Sequence, residues 1–191
     1  MARILQQHRN QVRIIGGTHR GRKITFPTAE GLRPTADSVR ERLFNWLGQD
    51  LTGMAVLDLF AGSGVMGLEA ASRRAKTVTL IEKNRLVAQA IKNNLQQLNF
   101  NQVELIYTDA QNFLATNSRQ FDIIFLDPPY QWQQWPDLMQ ALVPHLRPQA
   151  HIYLESNTLP TLPNGWQILR EGKSGISRFE LLTYCNQKHP D

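Results

Sequence analysis

Ala55-Val56-Leu57-Asp58-Leu59-Phe60-Ala61-Gly62-Ser63-Gly64 carries an apolar run into a glycine turn. Ala55 to Phe60 reads as a buried strand, and Val65 to Arg73 has the apolar pattern of a helix. Strand, glycine turn and helix in that order open a parallel βαβ unit. Gly62 and Gly64 allow a tight turn and close approach of backbone to a ligand. The following helix offers unpaired N–H groups to a carboxylate or phosphate. Gly62, Gly64 and Gly67 also spell GxGxxG, the dinucleotide fingerprint, so an NAD-dependent oxidoreductase is a rival reading. No Gly-Lys-Ser/Thr follows, which argues against a P-loop.

Downstream the alternation continues. Thr77 to Ile81, Val103 to Tyr107, Phe121 to Leu126 and Ala150 to Glu155 read as strands. Asn84 to Leu98, Gln111 to Ala115 and Pro136 to His145 read as helices, the first with Val87, Ile91, Leu95 and Leu98 along one face. This predicts an α/β, Rossmann-like, doubly wound and mostly parallel sheet. Trp166 to Glu171 and Arg178 to Tyr184 predict a closing hairpin through Gly172-Lys173-Ser174-Gly175, with at least one antiparallel strand. The main sheet then has about seven strands.

Upstream, residues 1–49 read as a basic extension and residues 50–191 as the main domain. Residues 1–11 are polar and read as loose. Val12 to Ile15 and Lys23 to Phe26 predict a small hairpin turned by Gly16, Gly17 and Gly21, with Arg20, Arg22 and Lys23 at its tip and exit. Asp37 or Thr35 is expected to cap a helix to about Leu47. Val39, Leu43, Leu47, Phe44 and Trp46 form its apolar side, and Arg40 and Arg42 face another surface.

The 191 residues, with 41% hydrophobic and 19% charged, suit one globular domain and exclude a disordered or collagenous chain. No apolar run reaches the ~18 residues of a membrane span, and the N-terminus lacks the apolar stretch of a secretory signal. A single cysteine, Cys185, excludes an internal disulfide framework and fits a reducing, cytoplasmic compartment. The five histidines form no cluster at metal-ligand spacing, so no metal is expected. Residues 1–49 hold nine Lys and Arg against three Asp and Glu; the rest hold twelve against thirteen. A basic segment beside a near-neutral body suggests a polyanionic partner such as nucleic acid, or else a solubilising tail.

Three acidic positions fall at predicted strand ends. Glu82 follows the second strand, where a carboxylate accepts from ribose hydroxyls or is simply solvated. Asp109-Ala110 follows the third, where Asp109 accepts from an adenine amino group, caps the next helix, or does both. Asp127-Pro128-Pro129-Tyr130 follows the strand Phe121 to Leu126. Two prolines remove two backbone donors and hold the chain extended. The Asp127 carboxylate and Pro128 carbonyl can then serve as paired acceptors. A planar exocyclic amine, with two N–H donors, satisfies both. Holding it there favours a pyramidal nitrogen whose lone pair can attack a methyl electrophile, and Tyr130 can stack on the base.

The motifs Asp58-Leu59-Phe60-Ala61-Gly62-Ser63-Gly64, Glu82, Asp109-Ala110 and Asp127-Pro128-Pro129-Tyr130 resemble, in order, those of S-adenosylmethionine-dependent methyltransferases acting on exocyclic amines. The chain resembles more closely the RsmD family, guanine-N2 methyltransferases of 16S ribosomal RNA. That likeness rests on Arg13-Ile14-Ile15-Gly16-Gly17, Arg22-Lys23, Leu32-Arg33-Pro34-Thr35 and Val39 to Leu47, and it runs from about Val12 to Tyr184. The resemblance implies a seven-stranded class I methyltransferase fold and S-adenosylmethionine as cofactor. It places Asp58, Ala61, Gly62 and Gly64 near the methionine moiety, Glu82 at the ribose and Asp109-Ala110 at the adenine. It places Asp127, Pro128 and Tyr130 at the target guanine, with Arg33 and Thr35 bordering the same cleft. Arg20, Arg22, Lys23 and Arg40 are expected on the RNA side. The partner implied is 16S rRNA within a partly or fully assembled small subunit, bound by a monomer away from membranes. Rival targets of the same chemistry are adenine-N6, cytosine-N4 and protein glutamine. Between Ser63 and Tyr130 the predicted sheet leaves no room for the recognition domain of a site-specific DNA enzyme. A non-enzymatic RNA-binding assembly factor is a further rival, one with no use for Asp127.

Overall fold

The computed structural model describes residues 9–29, 32, 34–129 and 131–185. The sequence-predicted site residues Arg33 and Tyr130 lie outside them, as do residues 1–8 of the segment 1–11 read as loose; Arg9, Asn10 and Gln11 of that segment instead pair with Pro27, Phe26 and Thr25 in a strand.

The chain opens with a hairpin of β1 (Arg9–Arg13) and β2 (Lys23–Pro27), joined through a 3₁₀ turn at Gly17–His19. The first strand ends two residues earlier than the apolar pattern suggests. Ile14 and Ile15 lie at the mouth of the turn, where Gly21 N–H donates to the Ile14 carbonyl at 2.8 Å. Helix α1 (Asp37–Leu47) follows. Its N-cap is Ala36, without a side-chain cap, which corrects the expectation of Thr35 or Asp37 there. Asp37 is instead engaged by Arg13 Nε at 2.9 Å, and Thr35 is buried.

The rest alternates as predicted: β3 (Ala55–Asp58), α2 (Val65–Ser72), β4 (Thr77–Glu82), α3 (Arg85–Leu98), β5 (Val103–Tyr107), α4 (Ala110–Thr116), β6 (Phe121–Leu126) and α5 (Trp135–Leu142). A 3₁₀ turn (Val143–His145), β7 (Leu146–Ser156), β8 (Trp166–Ser174) and β9 (Ser177–Tyr184) complete it. The main sheet has seven strands in the order β5-β4-β3-β6-β7-β9-β8. β3 to β7 pair in parallel, and β9 runs antiparallel between β7 and β8. This is the doubly wound, mostly parallel sheet expected from the alternation, and the seven-stranded class I arrangement that the resemblance implies. Strand order reverses between β3 and β6, and the crevice at their carboxyl ends is where such sheets bind ligands.

Both faces of the sheet are covered, so strand residues alternate between two cores. On β6, Ile123 and Phe125 join the layer under the hairpin, α1, α2 and α3. Ile124 and Leu126 join the layer under α4 and α5. The hairpin docks through side chains that imitate a strand edge. Asn94 of α3 accepts from Thr25 N–H at 3.1 Å and donates to the Thr25 carbonyl at 2.8 Å. Ser72 Oγ accepts from His19 N–H at 2.9 Å. At Gly17 (φ +73°) a Cβ would come within 2.0 Å of the Ser72 carbonyl, so only glycine allows that approach.

Arg40 departs from the sequence reading. It was expected on an RNA-facing surface, but it is 0% exposed. The helical period places it three and four residues before Leu43 and Phe44, on the buried face of α1. Its guanidinium pairs with Glu69 of α2 and donates to the carbonyls of Thr35 and Arg13, each at 3.0 Å. Glu69 also pairs with Arg73, whose guanidinium lies 4.2 Å from the Phe44 ring centre. Arg40 also pairs with Asp37, so two guanidiniums meet two carboxylates, and the network ties the hairpin, α1 and α2 together.

Candidate active site

A cleft of about 480 Å³ opens along the carboxyl edge of the sheet, a size suited to a small-molecule ligand. Each of five neighbouring strands brings one acid to it: Asp109 after β5, Glu82 on β4, Asp58 on β3, Asp127 after β6 and Glu155 on β7. Lys83 is the one basic residue among the described lining residues. A row of carboxylates in a partly apolar cleft attracts a cationic ligand. The N-terminal extension forms one wall through Ala29, Leu32, Pro34, Thr35, Ala36 and Val39.

The glycine loop is held from two sides. Ala61 N–H donates to the Ile81 carbonyl at 2.9 Å, and Gly62 N–H donates to Glu82 Oε2 at 2.9 Å. Gly62 (φ +52°) and Gly64 (φ +80°) adopt the left-handed turn their residue type permits. Asp58 Oδ2 accepts from Gly67 N–H at 3.1 Å, locking the end of β3 to α2. Burial lifts the Asp58 carboxyl to about 7, helped by the nearby Glu82 and opposed by the Gly67 N–H. Glu82 is also raised, mainly by burial, against the stabilising N–H groups of Asn84 and Gly62.

Asp109 caps α4, accepting from Asn112 N–H at 2.8 Å, while lining the cleft beside Ala110. Asp127 and Pro128 line the cleft farther along, as do Phe125 and Tyr153. Among the described residues none donates a hydrogen bond to the Asp127 carboxylate. Burial, then the charges of Glu155 and Asp58, push its carboxyl well above the usual range. Among the described residues the site therefore holds an acceptor without a donor, one that an N–H-bearing cation or amine would satisfy.

Asp58, Ala61, Gly62, Glu82, Asp109, Ala110, Thr35, Asp127 and Pro128 all meet in this one cleft. Gly64 caps α2 behind it. Arg20, Arg22 and Lys23 are exposed on the hairpin and none of them lines the cleft.

Two contributors escaped the sequence reading. Glu155 accepts from the hydroxyls of Tyr153 and Ser177 at 2.7 and 2.6 Å, and more distantly from Thr35 at 3.4 Å. Trp132 packs edge-on against Phe60 with ring centres 5.2 Å apart, and its buried indole N–H has no partner among the described residues. Position at the end of a predicted strand was the available signal for Glu155. A tryptophan two residues beyond Tyr130 was the signal for Trp132.

Glycine cradle, acidic row and orphaned indole donor together fit a nucleoside ligand carrying positive charge. Residues 12–183 match the family model described as conserved hypothetical protein 95. The chain is 43% identical over 176 residues to ribosomal RNA small subunit methyltransferase D of Escherichia coli strain K12, covering 90% of this chain and 89% of that protein. It is 41% identical over 181 residues to the protein of the same name from Haemophilus influenzae, covering 91% and 94%. Among solved structures, a putative methyltransferase from Escherichia coli superposes with a TM-score of 0.85 at 39% identity, over 93% of this chain and 100% of that one.

Proposed function

Because the chain belongs to the conserved hypothetical protein 95 family, the RsmD methyltransferases, we propose that it methylates the exocyclic N2 amine of a guanine in small-subunit ribosomal RNA. The observation that carries this reading is the Asp127 carboxylate beside Pro128, without a donor among the described residues and in the same cleft as the glycine loop. An oxidoreductase or a purely RNA-binding factor has no use for such an acceptor.

S-adenosylmethionine fits the cleft's chemistry, a nucleoside joined to a cationic sulfonium and an amino acid. Asp109 and Ala110 would hold its adenine, Glu82 its ribose, and Asp58 with the Gly62 loop its methionine end. The chemistry it would supply is an electrophilic methyl carbon, with a sulfur that would leave carrying the bonding electron pair as the guanine nitrogen's pair formed the new bond.

Asp127 and the Pro128 carbonyl accept the two amine protons and orient the nitrogen's lone pair. Positioning of this kind supplies much of the rate. Its raised proton affinity also suits Asp127 to take the proton the nitrogen loses and pass it to water. The target base must leave its stack to reach this depth, at a cost of a few kcal/mol. Tyr130 stacks on it, and the exposed Arg20, Arg22 and Lys23 contact phosphates.

The test is transfer of labelled methyl from S-adenosylmethionine to small ribosomal subunits lacking the modification, with naked 16S rRNA in parallel. Label in the rRNA is expected. Label in ribosomal protein, or none in either arm, overturns the proposal.

A further inference from the structure

The Asp127 site explains how an amine is held but not why guanine is chosen over other bases bearing one. Glu155 is 8% exposed, yet it lines the cleft. β6 and β7 pair Phe125 with Tyr153 and Leu126 with Leu154, so the next step sets Asp127 beside Glu155. Neighbouring strands lie about 4.8 Å apart. Glu155 is held by hydroxyls alone: Tyr153 Oη on Oε2, Ser177 Oγ on Oε1 and, at 3.4 Å, Thr35 Oγ1 on Oε2. No cation pairs with it among the described residues. A carboxylate has about four lone-pair positions, so this one is fixed in orientation and retains acceptor capacity.

We infer that Glu155 is a specificity-determining residue, accepting the guanine N1–H while Asp127 and the Pro128 carbonyl hold the adjacent N2 amine. The inference rests on the guanine-N2 reading above. Guanine presents N1–H and N2–H₂ side by side on its Watson–Crick edge. Adenine presents an amine beside a bare N1, whose lone pair would face the carboxylate. A site built to accept an N–H rejects analogues that lack it strongly, because the acceptor is then buried unpaired. The hydroxyls of Tyr153, Ser177 and Thr35 hold the carboxylate at the correct height, so they act as positioning groups.

The experiment uses synthetic RNA substrates carrying guanine or 2-aminopurine at the methylated position. 2-Aminopurine keeps the N2 amine but has a bare N1. The wild-type protein should prefer guanine in kcat/KM by about 10²-fold or more. Glu155→Gln, whose amide can donate to a bare N1, should narrow that ratio at least about tenfold while S-adenosylmethionine binding persists. Tyr153→Phe, which loosens the carboxylate without removing it, should narrow it less and serves if Glu155→Gln does not fold. Equal use of both bases by the wild type, or an unchanged ratio in the folded variants, overturns the inference. No transfer to guanine by the wild type would instead overturn the guanine-N2 reading itself.

Discussion

The Glu82 carboxylate reaches back across the carboxyl edge of the sheet to accept the Gly62 N–H at 2.9 Å, with its other oxygen taking Asn84 N–H at 2.7 Å. One acid at the end of β4 therefore shapes the glycine loop that follows β3, besides facing the cleft itself. Removing it should loosen the loop and withdraw the proposed ribose acceptor together.

Glu82→Ala should weaken S-adenosylmethionine binding by about 1–3 kcal/mol, the scale of lost hydrogen bonds to a charged group. Glu82→Gln keeps an oxygen for Gly62 and should lose less. Isothermal titration calorimetry measures both. Affinity unchanged in Glu82→Ala would remove Glu82 from the cofactor site, and NAD binding in preference to S-adenosylmethionine would favour the oxidoreductase.

Asp58 is 2% exposed, and burial raises its carboxyl from 3.8 to about 7. Between those values the folded chain keeps a proton that the unfolded chain has released. Stability contributed by this group is therefore full below about pH 4 and is lost as pH rises through about 7. Asp58→Asn removes the buried charge and keeps an oxygen for the Gly67 N–H. The ligand-free variant should gain up to ~4 kcal/mol over wild type at pH 8 and little at pH 4, while binding cofactor more weakly. Urea unfolding at the two pH values checks this; an equal difference at both would exclude the charge as its cause.

Arg40→Ala should destabilise the fold by about 3–5 kcal/mol, because Glu69 would keep one of its two buried cationic partners and the Thr35 and Arg13 carbonyls would lose their donor. Arg40→Lys should recover only part, since one ammonium cannot reach all of these groups. Denaturant melts measure both. A loss of RNA affinity without a loss of stability would return Arg40 to the RNA-facing role expected from sequence.

Neutralising Arg20, Arg22 and Lys23 together should weaken small-subunit RNA binding and leave cofactor affinity intact. Each lost phosphate contact should flatten the log–log salt dependence by roughly 0.7 to 0.9. Identical slopes and affinities in a salt titration would assign these charges to solubility.

The sheet is legible because a strand–helix step changes period locally, as from the continuous run Val78 to Ile81 to the helical spacing of Val87, Ile91, Leu95 and Leu98. The acids at strand ends were legible for the same reason: once the alternation is read, their place at the carboxyl edge follows. Arg40 shares the helical face of Leu43 and Phe44, but its charge reads as a surface signal because the compensating Glu69 lies 29 residues away. Glu155 looked like an ordinary strand end because Thr35 meets it across 120 residues. The hairpin's first strand lies N-terminal of its apolar residues because Ile14 is apolar for packing in the core beyond the ladder, which ends at Arg13. Helix α1 was given a side-chain cap because Thr35 and Asp37 are good capping residues, yet each is engaged elsewhere.

The central claim is that Asp127 holds a guanine N2 amine for methylation, and nucleoside mass spectrometry of digested rRNA after transfer tests it most directly. The wild-type protein should yield N2-methylguanosine. The wild-type rate should fall as pH is lowered through an apparent pKa above the ordinary carboxylate range, as Asp127 takes up its proton. Asp127→Ala should yield no product while binding S-adenosylmethionine normally, placing the loss in the chemical step. N6-methyladenosine or N4-methylcytidine as the wild-type product, or N2-methylguanosine formed at an undiminished rate by Asp127→Ala, would contradict the account.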